Sequence, residues 1–202
     1  MAEAFWSRHA RRYDRATRAL NRRFMEMARN VAERVRGLEV LELAAGTGLV
    51  TAELARTARA LVATDISEDM LAILRGRMAS LDALNVEVRP ADATALPFPD
   101  MSFDAVVMAN LLHLLPDPAA ALREARRVLR PGGLLLAPTF CHGETFAARC
   151  VSRTLALAGF PIHTRFHAEE LPGLLESEGF EADLTHRFTG WLPLGLVAGR
   201  KT

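Results

Sequence analysis

Three acidic residues lie at the ends of three predicted strands, where carboxylates can hold the polar groups of a ligand. Glu42 lies at the end of an apolar run, LEVLEL, Asp65 ends the next run, and Asp92 follows the third. Parallel strands bring their carboxyl ends to one edge of an open sheet, which is where such sheets bind ligands. The spacing therefore predicts a row of carboxylates along a single sheet edge.

A turn of small residues connects the first strand to helical sequence. Residues 44–48 read Ala-Ala-Gly-Thr-Gly, and such residues let backbone amides approach a ligand at a helix N-terminus. Asp65, seventeen residues after Gly48, is placed to accept both hydroxyls of a ribose. A dinucleotide site is disfavoured, because Thr51 replaces the third small residue of its fingerprint and Glu42 would repel a pyrophosphate. Glu42 suits a ligand with an ammonium or sulfonium group instead.

Three further side chains are candidates for catalysis. His113 follows the fourth predicted strand and His142 follows the fifth, so both belong to the same edge, and either imidazole could accept a proton from a substrate. Tyr13 lies on an N-terminal segment that we expect to fold over the ligand and exclude water. An ordinary structural role stays open for each: a local hydrogen bond for the histidines and core packing for the tyrosine.

The composition is that of a globular domain that needs no metal or disulfide for its core. The chain has 202 residues, of which 50% are apolar and 24% charged. Cys141 and Cys150 lie nine apart without metal-ligand spacing, so we predict no metal site, no disulfide and a reducing compartment. No apolar run approaches the roughly 18 residues of a membrane span or resembles a signal peptide. We therefore expect a cytoplasmic protein.

Charge is distributed unevenly along the chain. Residues 1–36 carry ten arginines against four acids, whereas the remainder carries fifteen basic residues against twenty acids. A basic segment can attract phosphates or an anionic membrane, although solvated arginine-rich helices are common. Apolar residues recur there every three or four positions, which predicts a helix that packs on the rest of the protein. They are Ala16, Leu20, Phe24, Met27, Val31 and Val35.

The length predicts one domain, and this pattern divides the chain into an N-terminal segment and that domain. We take residues 1–36 as an N-terminal helical lid or cap and residues 37–202 as the main domain. From residue 37 onward short apolar runs alternate with helical stretches, which is typical of a parallel sheet covered on both faces. The first five predicted strands are 38–43, 61–65, 85–89, 103–109 and 133–139.

The last third of the chain departs from simple alternation. Pro131-Gly132-Gly133 should end a helix at 119–130 before the fifth strand. A loop-rich insert at about 140–167 contains apolar residues that predict the wall of a pocket for an apolar or amphipathic acceptor. After a helix near 168–178, runs at 180–188 and 192–200 with a short connection predict an antiparallel hairpin. The fold class is therefore α/β, with a seven-stranded, mostly parallel sheet that ends in an antiparallel hairpin.

Five motifs, in order, resemble those of class I S-adenosylmethionine-dependent methyltransferases. The similarity is greatest to the branch (methyltransferase type 11) that includes the ubiquinone/menaquinone C-methyltransferases, and it covers roughly residues 38–200. It implies a Rossmann-like three-layer sandwich and S-adenosylmethionine as cofactor, with S-adenosylhomocysteine as product. The motifs are residues 41–48, 65–67, 91–98, 102–106 and 130–133.

The resemblance implies roles for the residues around the methionine part of the cofactor. Glu42 would orient the turn and the methionine ammonium group, and Gly46 and Gly48 would let the amino-acid part lie close to the backbone. The family often has glycine where this chain has Ala44, so the backbone approach at that position is expected to be slightly looser. Asn110 would offer its backbone carbonyl to the ammonium group.

The resemblance also implies roles at the nucleoside end. Asp65 would hold the ribose, Ile66 would pack on the adenine, and Asp92 would accept a hydrogen bond from the adenine amino group. The backbone amide of Ala93 would meet a ring nitrogen, and Leu111 would line the adenine or methionine side. For the acidic residues a helix cap or a solvated surface position stays open.

The expected activity is methyl transfer to a small-molecule or lipid-like acceptor by in-line displacement. Residues 110–113 (NLLH) lack the paired prolines and aromatic residue of adenine N-methylation and the Pro-Cys nucleophile of cytosine methylation. Two alternatives stay open: methylation of RNA or a ribonucleoprotein, favoured by the basic first 36 residues, and cofactor binding without catalysis. A nicotinamide oxidoreductase is the least favoured interpretation.

Overall fold

A computed structural model describes residues 22–157, 159–189 and 193–202 of the chain. Tyr13 and most of the predicted lid segment therefore lie outside the described residues, as does part of the connection between the last two strands. Among the helices in the described ranges, none combines the length and the apolar composition that crossing a membrane requires.

Strands and helices alternate along most of the described chain as the sequence pattern predicts, but no helix separates the third strand from the fourth. The strands are β1 (Glu39–Glu42), β2 (Ala60–Asp65), β3 (Val86–Pro90), β4 (Phe103–Val107), β5 (Leu129–Phe140), β6 (Phe180–Phe188) and β7 (Leu194–Lys201). The helices are α1 (Arg22–Arg34), α2 (Thr51–Leu54), α3 (Glu68–Ser80), α4 (Pro118–Val128), α5 (Phe146–Leu157) and α6 (Glu170–Glu176), with a 3-10 turn at Leu112–Leu114.

The strands form one sheet in the order β3-β2-β1-β4-β5-β7-β6. The first five pair in parallel, whereas β7 runs antiparallel to both β5 and β6. The fold class predicted from the sequence is thus confirmed. Because β1 is flanked by β2 on one side and β4 on the other, the strand order reverses there, and the helices that follow leave a crevice at the carboxyl ends of these strands.

Apolar helix faces cover both sides of the sheet. On one side, α1 buries Met27 and Val31 completely, and Val35, just after the helix, is fully buried in the same cluster with residues of β1 and α2. On the other side, α4 packs through Leu122 and Val128. The helix α4 begins where Asp117 accepts hydrogen bonds from the amides of Ala119 and Ala120, which satisfies two amides of its first turn. These layers hold the strand ends, and hence the crevice, in place.

The boundary at Pro131-Gly132-Gly133 differs from the prediction. Helix α4 ends at Val128 and β5 begins at Leu129, so the Pro-Gly-Gly segment lies inside the strand rather than before it. Leu129 is fully buried and pairs with Phe103, which draws it into the sheet. The strand register shifts between Phe103 and Ala105, and Gly132 adopts a φ of 70°. The three residues therefore form an irregularity within β5, and the helix ends two residues earlier than the predicted boundary at residue 130.

The insert after β5 is more regular than a loop-rich segment. Helix α5 occupies twelve residues of it, Phe146–Leu157, and buries only Ala148 and Ser152 among its side chains. Beyond the helix, the backbone amide of His163 donates to the carbonyl of His113 over 2.9 Å. This bond ties the end of the insert to the turn that follows β4.

Candidate active site

Glu42 occupies the end of β1 as a buried carboxyl group. Glu42 is 1% exposed, and its Oε2 has no hydrogen-bond partner among the described residues. Burial raises the pKa of this carboxyl group to about 8, and the neighbouring Asp65 carboxylate adds to the shift. A buried acid with a free oxygen favours a cationic donor such as an ammonium group as its partner.

The turn after Glu42 uses a left-handed backbone at three positions. The φ values are 53° at Ala44, 56° at Gly46 and 84° at Gly48. A Cβ atom on Gly46 would meet no atom within 4 Å, whereas one on Gly48 would lie 3.0 Å from Cγ of Leu74. Gly46 therefore leaves open space in front of the turn, and Gly48 allows the turn to pack closely on α3.

Asp65 is held at the end of β2 by backbone amides. Its Oδ2 accepts a hydrogen bond from the amide of Gly46 (2.8 Å), and its Oδ1 accepts one from the amide of Ser67 (2.9 Å). Burial raises the pKa of this carboxyl group, and the two amides partly oppose the rise. Each oxygen keeps a second lone pair, so the carboxylate can still accept hydroxyl groups from a ligand.

A cleft opens at these strand ends and brings together nearly all the predicted cofactor residues. Its lining contains every one of them except Gly48, which packs behind the turn. Residues that the sequence analysis did not assign to the site also line it. The lining includes Glu42, Ala44, Gly46, Asp65, Ile66, Asp92, Ala93, Asn110 and Leu111 from the predicted set, and Phe24, Leu49, Val50, Met70, Leu114 and Leu115 besides.

The nucleoside side of the cleft combines an apolar surface with a polar turn. Ile66 remains 45% exposed there and offers an apolar surface to the cleft. Asp92 is exposed, and its Oδ1 accepts hydrogen bonds from the backbone amide and the hydroxyl of Thr94 (2.8 and 2.7 Å). These bonds fix the turn that presents Asp92 and Ala93 to the cleft.

Asn110 ends the β4 side of the cleft. It adopts a φ of 56°, a left-handed backbone that asparagine tolerates better than most residues. Its backbone amide donates to the backbone carbonyl of Pro138 over 2.7 Å, while its side-chain Oδ1 is buried and has no hydrogen-bond partner among the described residues. Asn110 and Glu42 thus contribute unpaired buried oxygens from adjacent strands.

The two predicted catalytic histidines lie together but do not line the cleft. The ring centroids of His113 and His142 are 4.9 Å apart, and the residues are 2% and 1% exposed. Burial lowers the pKa of His142 to about 4, with the Arg165 charge adding to the effect, and burial lowers the pKa of His113 well below its usual value. Both imidazoles are therefore neutral at pH 7. Tyr13, the third candidate, lies outside the described residues.

Cleft residues from α1 and α3 carry no chemical signature that sequence analysis could use. Phe24 belongs to the predicted apolar stripe of the N-terminal helix, but helical spacing does not tell which of its members reaches a ligand site.

Cys141 is buried and Cys150 exposed, and neither forms a disulfide. Within the ranges that the structure covers, His, Cys, Asp and Glu side chains form no group of three or more suited to a metal ion.

The sheet order, the glycine turn after β1 and the carboxylate after β2 define a Rossmann-like domain of the class I methyltransferase type. Residues 41–137 match a family model described as a methyltransferase domain. This part of the chain is therefore a class I S-adenosylmethionine-dependent methyltransferase domain, as the five motifs predict, and S-adenosylmethionine is the cofactor of that class.

Curated relatives with similar sequences are named as quinone methyltransferases. A demethylmenaquinone methyltransferase of Clavibacter sepedonicus is 40% identical over 143 residues, covering 71% of this chain and 54% of the relative. A ubiquinone/menaquinone biosynthesis C-methyltransferase of Escherichia coli O1:K1 / APEC is 43% identical over 110 residues, covering 52% of this chain and 43% of the relative. The chain thus spans about half the length of these relatives.

Solved structures support the fold. A SAM-dependent methyltransferase from Thermotoga maritima superposes with a TM-score of 0.80 at 23% identity and full coverage of both chains. A Haemonchus contortus phosphoethanolamine N-methyltransferase, solved with S-adenosylhomocysteine, gives a TM-score of 0.73 at 16% identity over 87% of this chain and 52% of that one. At these identities the likeness establishes the architecture alone.

Proposed function

We propose that the protein transfers a methyl group from S-adenosylmethionine to a small-molecule acceptor by in-line displacement. The observation that carries this proposal is the pair of buried carboxyl groups, Glu42 and Asp65, on either side of the open glycine turn in one cleft. The donor set fits the group: Glu42 has one oxygen without a partner and suits an ammonium group, and Asp65 is fixed by backbone amides and suits a diol.

The methionine end of the cofactor would lie on the β1 and β4 side of the cleft. Glu42 would receive the ammonium group, and the backbone carbonyl of Asn110 would accept from it as well. Ala44 and Gly46 would let the amino-acid part lie against the turn, since no atom occupies the space in front of Gly46. Gly48 would contribute indirectly, by allowing the turn to pack on α3.

The nucleoside end would lie towards β2 and β3. Asp65 would accept the ribose hydroxyls, and the exposed side chain of Ile66 would pack on the adenine ring. Asp92 would accept from the adenine amino group, and the backbone amide of Ala93 would donate to a ring nitrogen. Leu111 would close the cleft from the β4 side.

Bound S-adenosylmethionine supplies a methyl group that its sulfonium charge already activates. The protein then needs to hold donor and acceptor in line and keep water out, and orientation alone is worth about 7 to 11 kcal/mol of the barrier. The apolar residues Phe24, Leu114 and Leu115 in the cleft lining serve the exclusion of water. A strong covalent catalyst is not required.

The names of the relatives support the proposal that the acceptor is a carbon atom of a quinone-type or similar lipid-like molecule. The insert at about 140–167 is proposed to form the wall of the acceptor pocket, and the exposed side chain of Phe146 suits an acceptor of this kind. His113 and His142 are the proposed proton acceptors, and Tyr13 on the N-terminal segment is proposed to cover the cofactor. Phe24, which reaches the cleft from α1, supports the assignment of residues 1–36 as a lid. We further propose that the protein acts in the cytoplasm.

Two measurements test the proposed function. Isothermal titration with S-adenosylhomocysteine should give one site per chain, and absence of heat at high protein concentration would contradict the proposal. Incubation with methyl-labelled S-adenosylmethionine and separate lipid and RNA fractions of a bacterial extract should place the label in the lipid fraction. Label in RNA would favour the RNA methyltransferase, and no transfer to either fraction would favour a binding protein without catalysis.

A further inference from the structure

A buried pair of histidines lies beside the cofactor cleft with unpaired ring nitrogens. His113 belongs to the 3-10 turn after β4, and His142 follows the end of β5 by two residues. Nδ1 of His113 and both ring nitrogens of His142 have no hydrogen-bond partner in the described part of the chain. The ring of Phe140 packs edge-on against both, at centroid distances of 6.2 and 6.3 Å.

Unpaired polar atoms at this depth require an explanation. Buried polar groups in native proteins are hydrogen-bonded with few exceptions, and those exceptions mark water, ligand or catalytic sites. Here three unpaired nitrogen atoms lie in two neighbouring side chains, so a single common cause explains them better than three independent exceptions. The pair is therefore suited to a polar partner that the protein chain does not itself supply.

The charges around the pair define what that partner can be. Arg165 is the charged group that acts on His142, and His142 is the titratable group that acts on His113. The Arg165 guanidinium is oriented by a hydrogen bond from its Nε to Oγ of Ser152 (2.9 Å). An ammonium partner would meet the Arg165 cation, so the surroundings disfavour it. A neutral imidazole offers one donor and one acceptor, which matches a hydroxyl group that also donates and accepts.

The pair lies behind the cleft lining, at the strand ends nearest the proposed site of the methionine part of the cofactor. His113 lies between Leu111 and Leu114, and both of these line the cleft. The pair follows β4 and β5, on the side of the cleft where Glu42 and Asn110 provide the unpaired oxygens for the methionine end. The methyl group is carried next to that end of the cofactor, so an acceptor in reach of it lies near these strand ends.

We propose that His113 and His142 form a neutral hydrogen-bonding subsite that receives a hydroxyl group on a flat ring of the methyl acceptor. The inference rests on the proposed function and adds to it the residues that recognise the acceptor. It assigns the acceptor to weakly acidic ring hydroxyls, as distinct from amines. The hydroxyl donates to one imidazole nitrogen and accepts from another, so that the acceptor ring is oriented towards the cofactor.

Binding of two aromatic probes tests the subsite. The probes are 2-naphthol and naphthalene, which differ by one hydroxyl group, and each is titrated into protein saturated with S-adenosylhomocysteine. We expect wild-type protein to bind 2-naphthol roughly fivefold more tightly than naphthalene, which is the factor that one net hydrogen bond supplies. His113→Phe and His142→Phe should reduce this ratio to about one, while His186→Phe, a change at an exposed histidine of β6, should preserve it.

The outcomes separate the subsite from the proposed function. If S-adenosylhomocysteine binds normally but the wild-type protein does not prefer 2-naphthol, or if both phenylalanine variants keep the preference, the pair holds water only and the inference is overturned. If S-adenosylhomocysteine does not bind, the proposed function fails and the inference fails with it. Should the variants not fold, 15N spectra of histidine-labelled wild-type protein decide: 2-naphthol must shift the two buried imidazoles, and unchanged signals overturn the inference.

Discussion

The backbone amide of Gly46 donates a hydrogen bond to the Asp65 carboxylate, with 2.8 Å between the nitrogen and Oδ2. The two residues are nineteen apart in sequence, and the bond joins the turn after β1 to the end of β2. A second amide, that of Ser67, holds Oδ1 at 2.9 Å. The carboxylate is therefore oriented before a ligand arrives, which reduces the ordering cost of binding.

Removal of this carboxylate should weaken cofactor binding. We expect Asp65→Ala to lower the affinity for S-adenosylhomocysteine at least tenfold, because the ribose loses its acceptor and the Gly46 amide loses its partner. The affinity of Asp65→Asn should fall between those of wild type and Asp65→Ala, since the side-chain amide oxygen can still accept one hydrogen bond. Calorimetric titration measures the affinities, with Asp183→Ala, an exposed change on β6, as the control. Equal affinities for Asp65→Ala and wild type would contradict the assigned site.

Cofactor binding should release a proton from Glu42. Burial raises the pKa of this carboxyl group to about 8, so the acid is mostly protonated at pH 7 in the empty cleft. A bound ammonium group favours the ionised acid and lowers that pKa. Titration with S-adenosylhomocysteine in phosphate and in Tris, which have different ionisation enthalpies, should show release of nearly one proton. Glu42→Gln should release close to none, and equal release by both proteins would exclude this role.

The same acid should make the stability of the empty protein depend on pH. The folded protein keeps the Glu42 proton up to about pH 8, whereas the unfolded chain loses it near the ordinary value of 4.5. The raised pKa therefore lowers the free energy of unfolding as the pH rises from about 4.5 to 8. Urea unfolding at pH 5, 6.5 and 8 should show Glu42→Gln gaining on wild type at each step. A difference that stays constant with pH would refute the burial of this acid.

Substitutions in the turn should separate stability from binding. Gly48→Ala places a Cβ at a φ of 84° and 3.0 Å from Leu74, so we expect a lower melting temperature. Gly46→Ala places its Cβ in the open cleft and should cost more in cofactor affinity than in stability. Ala44→Gly relieves a left-handed alanine, whose strain is roughly 1 to 2 kcal/mol, and should not lower the melting temperature. A larger melting-temperature loss for Gly46→Ala than for Gly48→Ala would reverse the two assignments.

An ion-pair cluster at the opposite edge of the sheet should support the fold without affecting the site. Asp104 accepts hydrogen bonds from the Glu39 amide and from Arg130, and Arg59 lies 3.5 Å away. These partners outweigh burial and lower the pKa of Asp104. A lowered pKa stabilises the folded state above the ordinary value of 3.8 and loses that effect as the pH falls through the folded-state value.

Asp104→Asn tests this cluster. We expect a loss of about 1 to 3 kcal/mol in the free energy of unfolding at pH 7, from the weakened charge-assisted hydrogen bonds. The difference from wild type should shrink as the pH falls below 4, while the affinity for S-adenosylhomocysteine at pH 7 stays within a factor of two. A stability difference that does not change with pH would show that the carboxylate charge contributes nothing.

Much of the cofactor site could be predicted because its residues have fixed places relative to strand ends. Glu42, Asp65 and Asp92 follow consecutive parallel strands, so local pattern and sheet geometry together bring them to one edge, and all three line the cleft. Phe24 could not be assigned in the same way. Its helical spacing predicts that Phe24 packs on the rest of the protein, but only the docking of α1 on the sheet brings it to the cleft.

The Pro-Gly-Gly segment shows a different limit. Local preferences correctly predict a break in the helix near Pro131, yet the strand pairing of Leu129 with Phe103 ends the helix two residues earlier than predicted. Burial of an apolar side chain in the sheet outweighs the local preference of the segment. Boundaries of elements therefore depend on contacts with distant parts of the chain.

The order of strands and helices, the glycine turn and the three acids were determined by the sequence alone, since apolar periodicity and residue type set them locally. The tertiary structure decided which side chains are buried and unpaired. Glu42 acquires its raised pKa, and His113 and His142 meet at 4.9 Å, because β1, β4 and β5 are neighbours in the sheet. Desolvation and contact between residues far apart in sequence have no local signal, so they appear only once the sheet is formed.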